Sequence, residues 1–394
     1  MTATPQTPRT NRPRHAGALH VGIIGCGAIA ANHVGAYATQ DGVHVTTCMD
    51  TDPERARTFA QEHGIPGWST DAENLLAAVD VVSVCTPHPT HEALVLQAAR
   101  AGVHVLCEKP LAIDVPSAER MVRACHEAGV CLGAVFQRRY WPAAQRIRAA
   151  LDDGTLGAPI LARVEVLLHR EASYYTATPW RGKWESDGGG VVMTQAIHYV
   201  DLLQWYLGDV EWVVATAGTY KHGAYIEVED TLAATLRFTS GAIAQFTAST
   251  ALTPALGQRI AVTGAGGATV SLLEYPEGSE AVNDVWAVPG REAFAFPTDV
   301  LDDVALPEIN ASLAPFHTLQ VADFVRAVRD GHEPAVTGGD ALRSLRTLAA
   351  MYASMRSGLP ERPGRRAPAV PFAVGHDKAR TGGQEHETAR EVLR

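Results

Sequence analysis

No apolar run in this chain is long enough to span a bilayer, and no two cysteines stand as a Cys-x-x-Cys pair. The first absence removes a membrane-spanning helix. The second speaks against structural zinc and thioredoxin-type chemistry. Basic residues are in the minority: 33 Lys and Arg against 43 Asp and Glu give a formal net charge of −10. That balance excludes a nucleic-acid phosphate backbone as the expected partner. Met1–Gly17 is rich in Pro, Thr and Arg but has no apolar core and no adjacent arginines, so it reads as neither a secretory nor a twin-arginine signal. The six cysteines (26, 48, 85, 107, 125 and 131) all fall in the first third, mostly inside apolar runs, as reduced thiols of a cytoplasmic protein do.

A chain of 394 residues with 46% hydrophobic and 19% charged residues has enough apolar material for two domains. Residues 1–18 and 361–394, polar and rich in Pro, Gly or charge, read as disordered tails. From Leu19 the chain alternates β-branched runs with helix-like segments. "LHVGIIG", "VHVTTCMD", "VDVVSVCTP", "VHVLCEKP" and "VCLGAVFQ" are the strands; "AIAANHVGAYATQ" and Asp52–His63 are among the helices. Continuous apolar strands spaced by helices indicate a parallel sheet buried on both faces, an α/β doubly wound Rossmann domain over 19–138. Beyond it the runs lengthen and alternate, in "PILARVEVLLHR", "VEWVVATAGTYK", "DTLAATLRFTSGAIAQFTAST", "QRIAVTGAGGATVSLLE" and "AVNDVWAV". They predict a large, mostly antiparallel sheet within an α+β domain over 139–360. "FHTLQVADFVRAVRDG" and "ALRSLRTLAAMYASMRSG" follow as amphipathic helices.

Gly25-x-Gly27-x-x-Ala30 lies where the first strand meets its helix. Gly25 permits the tight turn, Gly27 lets the backbone approach a pyrophosphate, and Ala30 packs the helix on the sheet. The amides at Ala28 and Ile29 then face the phosphates. Asp50 ends the next strand, 25 residues after Gly25. A carboxylate there accepts hydrogen bonds from the adenosine ribose hydroxyls and repels a 2′-phosphate, which favours NAD over NADP. Arg55, nearby in sequence, reads as a solvated helix charge. His88 and His91 do not make a metal pair, because Pro89 interrupts their spacing and no carboxylates cluster there.

The blocks "VGIIGCGAIAANH", "CMDTDPERA", "VSVCTPHPTHEAL", "AGVHVLCEKPLA" and "GGGVVMTQAIHYVDLLQWYLG" resemble the glucose–fructose oxidoreductase / inositol dehydrogenase / rhizopine-catabolism (Gfo/Idh/MocA) family, from about residue 19 to 358. The resemblance implies that Lys109 of Glu108-Lys109-Pro110 is the catalytic lysine and that Glu108 contacts the nicotinamide-side ribose. It also implies that Thr86 and Pro87 border the cofactor, with His91 opening the helix behind them. The spacing of Thr194, His198, Asp201 and Trp205 puts them on one helix face. By resemblance His198 handles the hydroxyl proton, whereas Thr194 stands where the family commonly has Asp or Asn. That departure suggests a Lys109–His198 pair in place of a three-residue relay, with His198 removing the proton and Lys109 stabilising the alkoxide. The alternative is a helix histidine satisfied by Asp201. Gln137 and Arg138 face the same cleft on the family pattern, and Trp180 and Arg181 lie in an aromatic, charged loop suited to sugar rings. The same two residues could instead hold that loop to the sheet.

The activity implied is an NAD(P)-dependent oxidoreductase acting on a secondary alcohol of a sugar, polyol or sugar derivative, with a homodimer or homotetramer as its state and no metal. Two alternatives stand beside it: NAD-dependent glycoside cleavage through transient oxidation, and a non-catalytic sensor of NAD or sugar.

Overall fold

The computed structural model describes residues 17–294 and 304–364. The tails expected over 1–18 and 361–394 lie almost wholly outside the described residues. Six parallel strands form the first sheet: β1 (Leu19–Ile24), β2 (Val43–Met49), β3 (Gly67–Ser69), β4 (Val81–Val84), β5 (His104–Cys107) and β6 (Leu132–Ala134), in the order β3-β2-β1-β4-β5-β6. The order reverses between β1 and β4, and the crevice at their carboxyl ends is the place where such sheets bind ligands. Every residue of β4 and β5 is buried, as continuous apolar runs require. Asp52 caps the Pro53–His63 helix by accepting from the amides of Glu54 and Arg55, and Gly64 ends it in a left-handed conformation.

The second sheet has eight strands: β7 (Pro159–Leu167), β8 (Val210–Gly218), β9 (Thr231–Phe238), β10 (Ile243–Ser249), β11 (Gly257–Gly264), β12 (Thr269–Glu274), β13 (Val285–Ala287) and β14 (Ala293–Phe294). All its neighbours pair antiparallel except β7 and β10, which run parallel. Along β9 and β10 buried and open residues alternate. One face packs under the Ile197–Leu207 and Gly338–Ser357 helices in a core that also reaches β4 and β5. The other face carries Leu161, Val214 and Ile243 open to solvent.

Two helices differ from the sequence expectation. The penultimate one begins at Leu306, ten residues before Phe316, and runs through Pro315 because Ile309 and Leu313 bury their side chains on the same core as Phe316. The face expected to carry Thr194, His198, Asp201 and Trp205 is interrupted. The amides of Gln195 and Ala196 both converge on Val191 O, at 3.0 and 2.9 Å. One helix therefore ends at Thr194 and another starts at Ile197.

Candidate active site

At the dinucleotide end, Gly25 has φ +92°, and a Cβ there would stand 2.8 Å from the backbone of Cys85. Only glycine fits that turn. Gly27 has nothing within 4 Å of its would-be Cβ, so it opens onto free space. No side chain caps the Ala30–Ala38 helix, which leaves the amides at its entry, those of Ala28 and Ile29 just before its first residue included, to an anion. Asp50 is fixed beside the loop: one carboxylate oxygen accepts from Cys26 N at 3.0 Å, the other from Asp52 N at 3.0 Å and from Arg55 Nη1 at 3.4 Å. A cavity of about 310 Å³ adjoins it, lined by Cys26, Phe59, Arg55 and the acids Asp52, Glu54 and Glu62. An uncapped helix start, a glycine that leaves room and an anchored carboxylate fit a dinucleotide. The surplus of acids fits a free ribose better than a phosphorylated one.

At the nicotinamide end, the Lys109–Pro110 peptide is cis. His91 is fully buried, with Nδ1 3.0 Å from Pro110 O and Nε2 2.8 Å from Thr86 O. It therefore clasps the segments after β4 and β5 from behind, and its ring does not face the cofactor crevice as a contact. Burial, followed by the charge of His88, holds its pKa down at about 4. Glu108 has one oxygen 3.0 Å from His33 Nε2, while the other accepts from Lys109 N at 3.1 Å. His33 continues through Ser83 to Tyr37 in 3.0 Å steps. Burial alone would raise the Glu108 pKa, but the hydrogen bond to His33 and the electrostatic influence of His33, His317 and Lys109 bring it down to about 2. His33 and the chain behind it had no sequence signal.

Lys109 donates from Nζ to the carbonyl oxygen of Thr194 at 2.7 Å. Burial lowers its pKa to about 8, against the pull of Glu108 and Asp187 and with the push of Arg138 and Arg181. Thr194 thus serves the lysine through its backbone; its hydroxyl turns to Gly190 O and to the side chain of Gln195. His198 is 3% exposed, its Nδ1 has no hydrogen-bond partner, and its ring meets Phe136 edge-on at 5.7 Å. Burial, then Arg138, Lys109 and His317, push its pKa well below the usual histidine range. Asp201 is not its partner, because both Asp201 oxygens are taken by Arg139 at 2.6 and 2.7 Å.

Arg138 departs from its expected role. Its Nε and Nη2 pair with Glu274 at 3.0 and 2.9 Å, and Glu274 also accepts from Tyr199, Gln258 and Gly278. With the two side chains 6% and 0% exposed, this is an internal strut, not a free cation for substrate. Arg138→Met is expected to destabilise the fold by about 3–5 kcal/mol, since it strands a buried carboxylate; thermal unfolding measures it. Gln137 keeps a buried Oε1 without a partner. Arg181 donates to Tyr174 O at 3.0 Å and lies 4.1 Å over the Tyr174 ring and 5.1 Å from that of Trp180. Trp180 in turn meets His88 at 5.1 Å. Tyr174 accepts from Gln195 at 2.8 Å, so the aromatic loop is linked to the Thr194 turn.

Residues 19–136 match the family model described as "Oxidoreductase family, NAD-binding Rossmann fold", and residues 144–270 match the "GFO/IDH/MocA C-terminal domain". A D-apiose dehydrogenase of Paraburkholderia graminis is 31% identical over 345 residues, 85% of this chain and 87% of the relative. The chain belongs to the Gfo/Idh/MocA oxidoreductase family. A 1,5-anhydro-D-fructose reductase of Ensifer adhaerens is 34% identical, across 86% of this chain and 96% of the relative. Among solved structures, the WlbA dehydrogenase of Bordetella pertussis in complex with NADH and UDP-GlcNAcA superposes with a TM-score of 0.76 at 33% identity, covering 88% of this chain and 98% of that one. As a Gfo/Idh/MocA member the protein is an oxidoreductase with an NAD-binding Rossmann fold. None of its described helices is long and apolar enough to cross a membrane.

Proposed function

We propose that the protein is an NAD-dependent dehydrogenase of a secondary alcohol in a sugar, polyol or sugar derivative, with Lys109 and His198 as its catalytic residues. The observation that carries this reading is Lys109 itself. It stands beyond the carboxyl end of β5, held at 2.7 Å by the Thr194 carbonyl from the other sheet's helices. The relatives named above act on or bind sugars and sugar derivatives, which supports the substrate class.

Bound NAD supplies the hydride acceptor, and the chain's own residues manage the hydroxyl proton. The roles of the pair are the reverse of those expected from sequence. A buried ring beside Lys109 and Arg138, with nothing to receive a proton at Nδ1, is a poor place for an imidazolium. His198 therefore stays neutral and orients the substrate hydroxyl by a hydrogen bond. Lys109, with its pKa lowered to about 8, takes the proton as a free amine during oxidation and returns it as an ammonium during reduction. Oxidation is thus expected to rise with pH and level off above about 8, while ketone reduction falls over the same interval. Initial rates in both directions between about pH 6 and 9.5 test this; an oxidation rate flat through about pH 8 would remove Lys109 from the proton step. The activity itself is tested by NADH formation from NAD⁺ with a panel of inositols, hexoses, anhydro sugars and nucleotide sugars.

Two further expectations belong to the same proposal. The six cysteines are unpaired, five of them buried, which suits a reducing cytoplasm. The open face with Leu161, Val214 and Ile243 suits a second copy of the chain, and light scattering should then give a mass of at least two chains.

A further inference from the structure

With Thr194 the lysine site lacks a carboxylate where the family commonly carries an acid or its amide. A buried carboxylate nevertheless stands at its edge. Asp187, immediately before Gly188-Gly189-Gly190, is 1% exposed. Its Oδ2 accepts from Gly182 N at 2.8 Å, whereas its Oδ1 has no hydrogen-bond partner. His88 Nδ1 is hydrogen-bonded to the Asp187 carbonyl oxygen at 3.2 Å and lies 3.3 Å from that carboxylate oxygen, within ion-pair distance. The walls around Asp187 are those of the lysine. His88 follows Thr86-Pro87, and its ring is 6.0 Å from that of His91, which clasps Pro110. On the other side, a Cβ at Gly188 would stand 3.1 Å from Ile113, in the segment leaving Lys109.

We propose that Asp187 is the acidic positioning residue of the Lys109 site, supplied from the glycine loop in place of a carboxylate at Thr194 and held there by His88. The proposal rests on Lys109 being the reacting lysine.

The charges around the lysine divide in an informative way. Glu108, Asp187, Arg138 and Arg181 act on it, and His198 stands beside it. Glu108 is committed to His33, and Arg138 to Glu274. Asp187, paired with His88, and Arg181, bonded to Tyr174 O, both belong to residues 180–187. Asp187 pairs with His88 and acts electrostatically on Lys109 and on Tyr352. The loop that carries Trp180 and Arg181 would therefore also influence how readily Lys109 holds its proton. Asp187 favours the ammonium and Arg181 opposes it.

The test is trace acetylation of the folded full-length protein by acetic anhydride across pH, with the Lys109 peptide quantified by mass spectrometry. Wild type should half-react near pH 8. Asp187→Asn and Asp187→Ala should both lower that midpoint by about half a unit to one unit, and Arg181→Gln should raise it by a similar amount. His88→Leu, which leaves both loop charges in place but removes the ring that holds Asp187 and packs on Trp180, should lower it by less, and it carries the test if the Asp187 variants do not fold. The pH profile of sugar oxidation should shift with the midpoint. An unmoved midpoint in these variants overturns the assignment, as does a shift in Asp187→Ala alone, which would report only the lost bond to Gly182. If the midpoints move as stated but no sugar is oxidised, the dehydrogenase reading fails and the Asp187–Lys109 coupling stands.

Discussion

Lys109→Met lowers the rate of sugar oxidation by about 10³–10⁴-fold, the combined scale of a lost general base and lost charge stabilisation. Methionine keeps the length and apolar stem of lysine but has neither charge nor proton. It leaves the Thr194 carbonyl without its 2.7 Å donor, a small loss beside that of the chemistry. The dinucleotide end, formed by Gly25, Gly27 and Asp50, is untouched. NAD⁺ affinity by calorimetry should therefore stay within a few-fold of wild type, and so should the melting temperature. A variant that keeps a tenth of the activity, or that loses NAD⁺ binding in step with activity, would move the chemistry away from this lysine.

Gly190→Ala is expected to be the most damaging change in the glycine loop. A Cβ there would lie 1.7 Å from the backbone oxygen of Glu229, and backbone cannot rotate aside. Glu229 is also the anchor of the loop. Its carboxylate accepts from Gly190 N at 2.8 Å, Val192 N at 3.1 Å and Tyr352 OH at 2.9 Å. Burial raises its pKa to about 7 in spite of those bonds, so a displaced loop leaves a buried acid without its donors. The cost is about 3 kcal/mol or more, read as a drop of several degrees in melting temperature, together with loss of activity as the turn before His198 shifts. Gly189→Ala meets the Tyr352 hydroxyl at 2.1 Å, the tip of a side chain, and should cost less. Gly27→Ala faces open space and should leave stability alone while weakening NAD⁺ binding. A single uniform effect across the three would contradict this reading of the two loops.

The first sheet was legible because its strands are uninterrupted β-branched runs and its helices carry local signals, such as Asp52-Pro53 at a start and Gly64 at a stop. Five of its strands follow from that pattern. The sixth, β3, is three residues long and has too little periodicity to stand out. The second sheet follows from alternation, but its parallel β7–β10 pairing does not, because pairing direction depends on the path of the chain between strands. At the site, spacing placed Thr194 and His198 near each other but not the break between their helices, which arises from two amides sharing Val191 O. Arg138 read as a cleft cation because its partner Glu274 lies 136 residues away. Asp187 gave no signal for the same reason: its partner His88, 99 residues away, meets it only in the folded chain.

The most direct test of the account is isotopic. A substrate found in the sugar and polyol panel is deuterated at its reacting carbinol carbon and turned over with NAD⁺, and the NADH formed is analysed by NMR. The account expects deuterium in the nicotinamide ring in step with the ketone produced, and both products formed about 10³–10⁴-fold more slowly with Lys109→Met. Unlabelled NADH, or a cleaved glycoside with no net NADH, would contradict it.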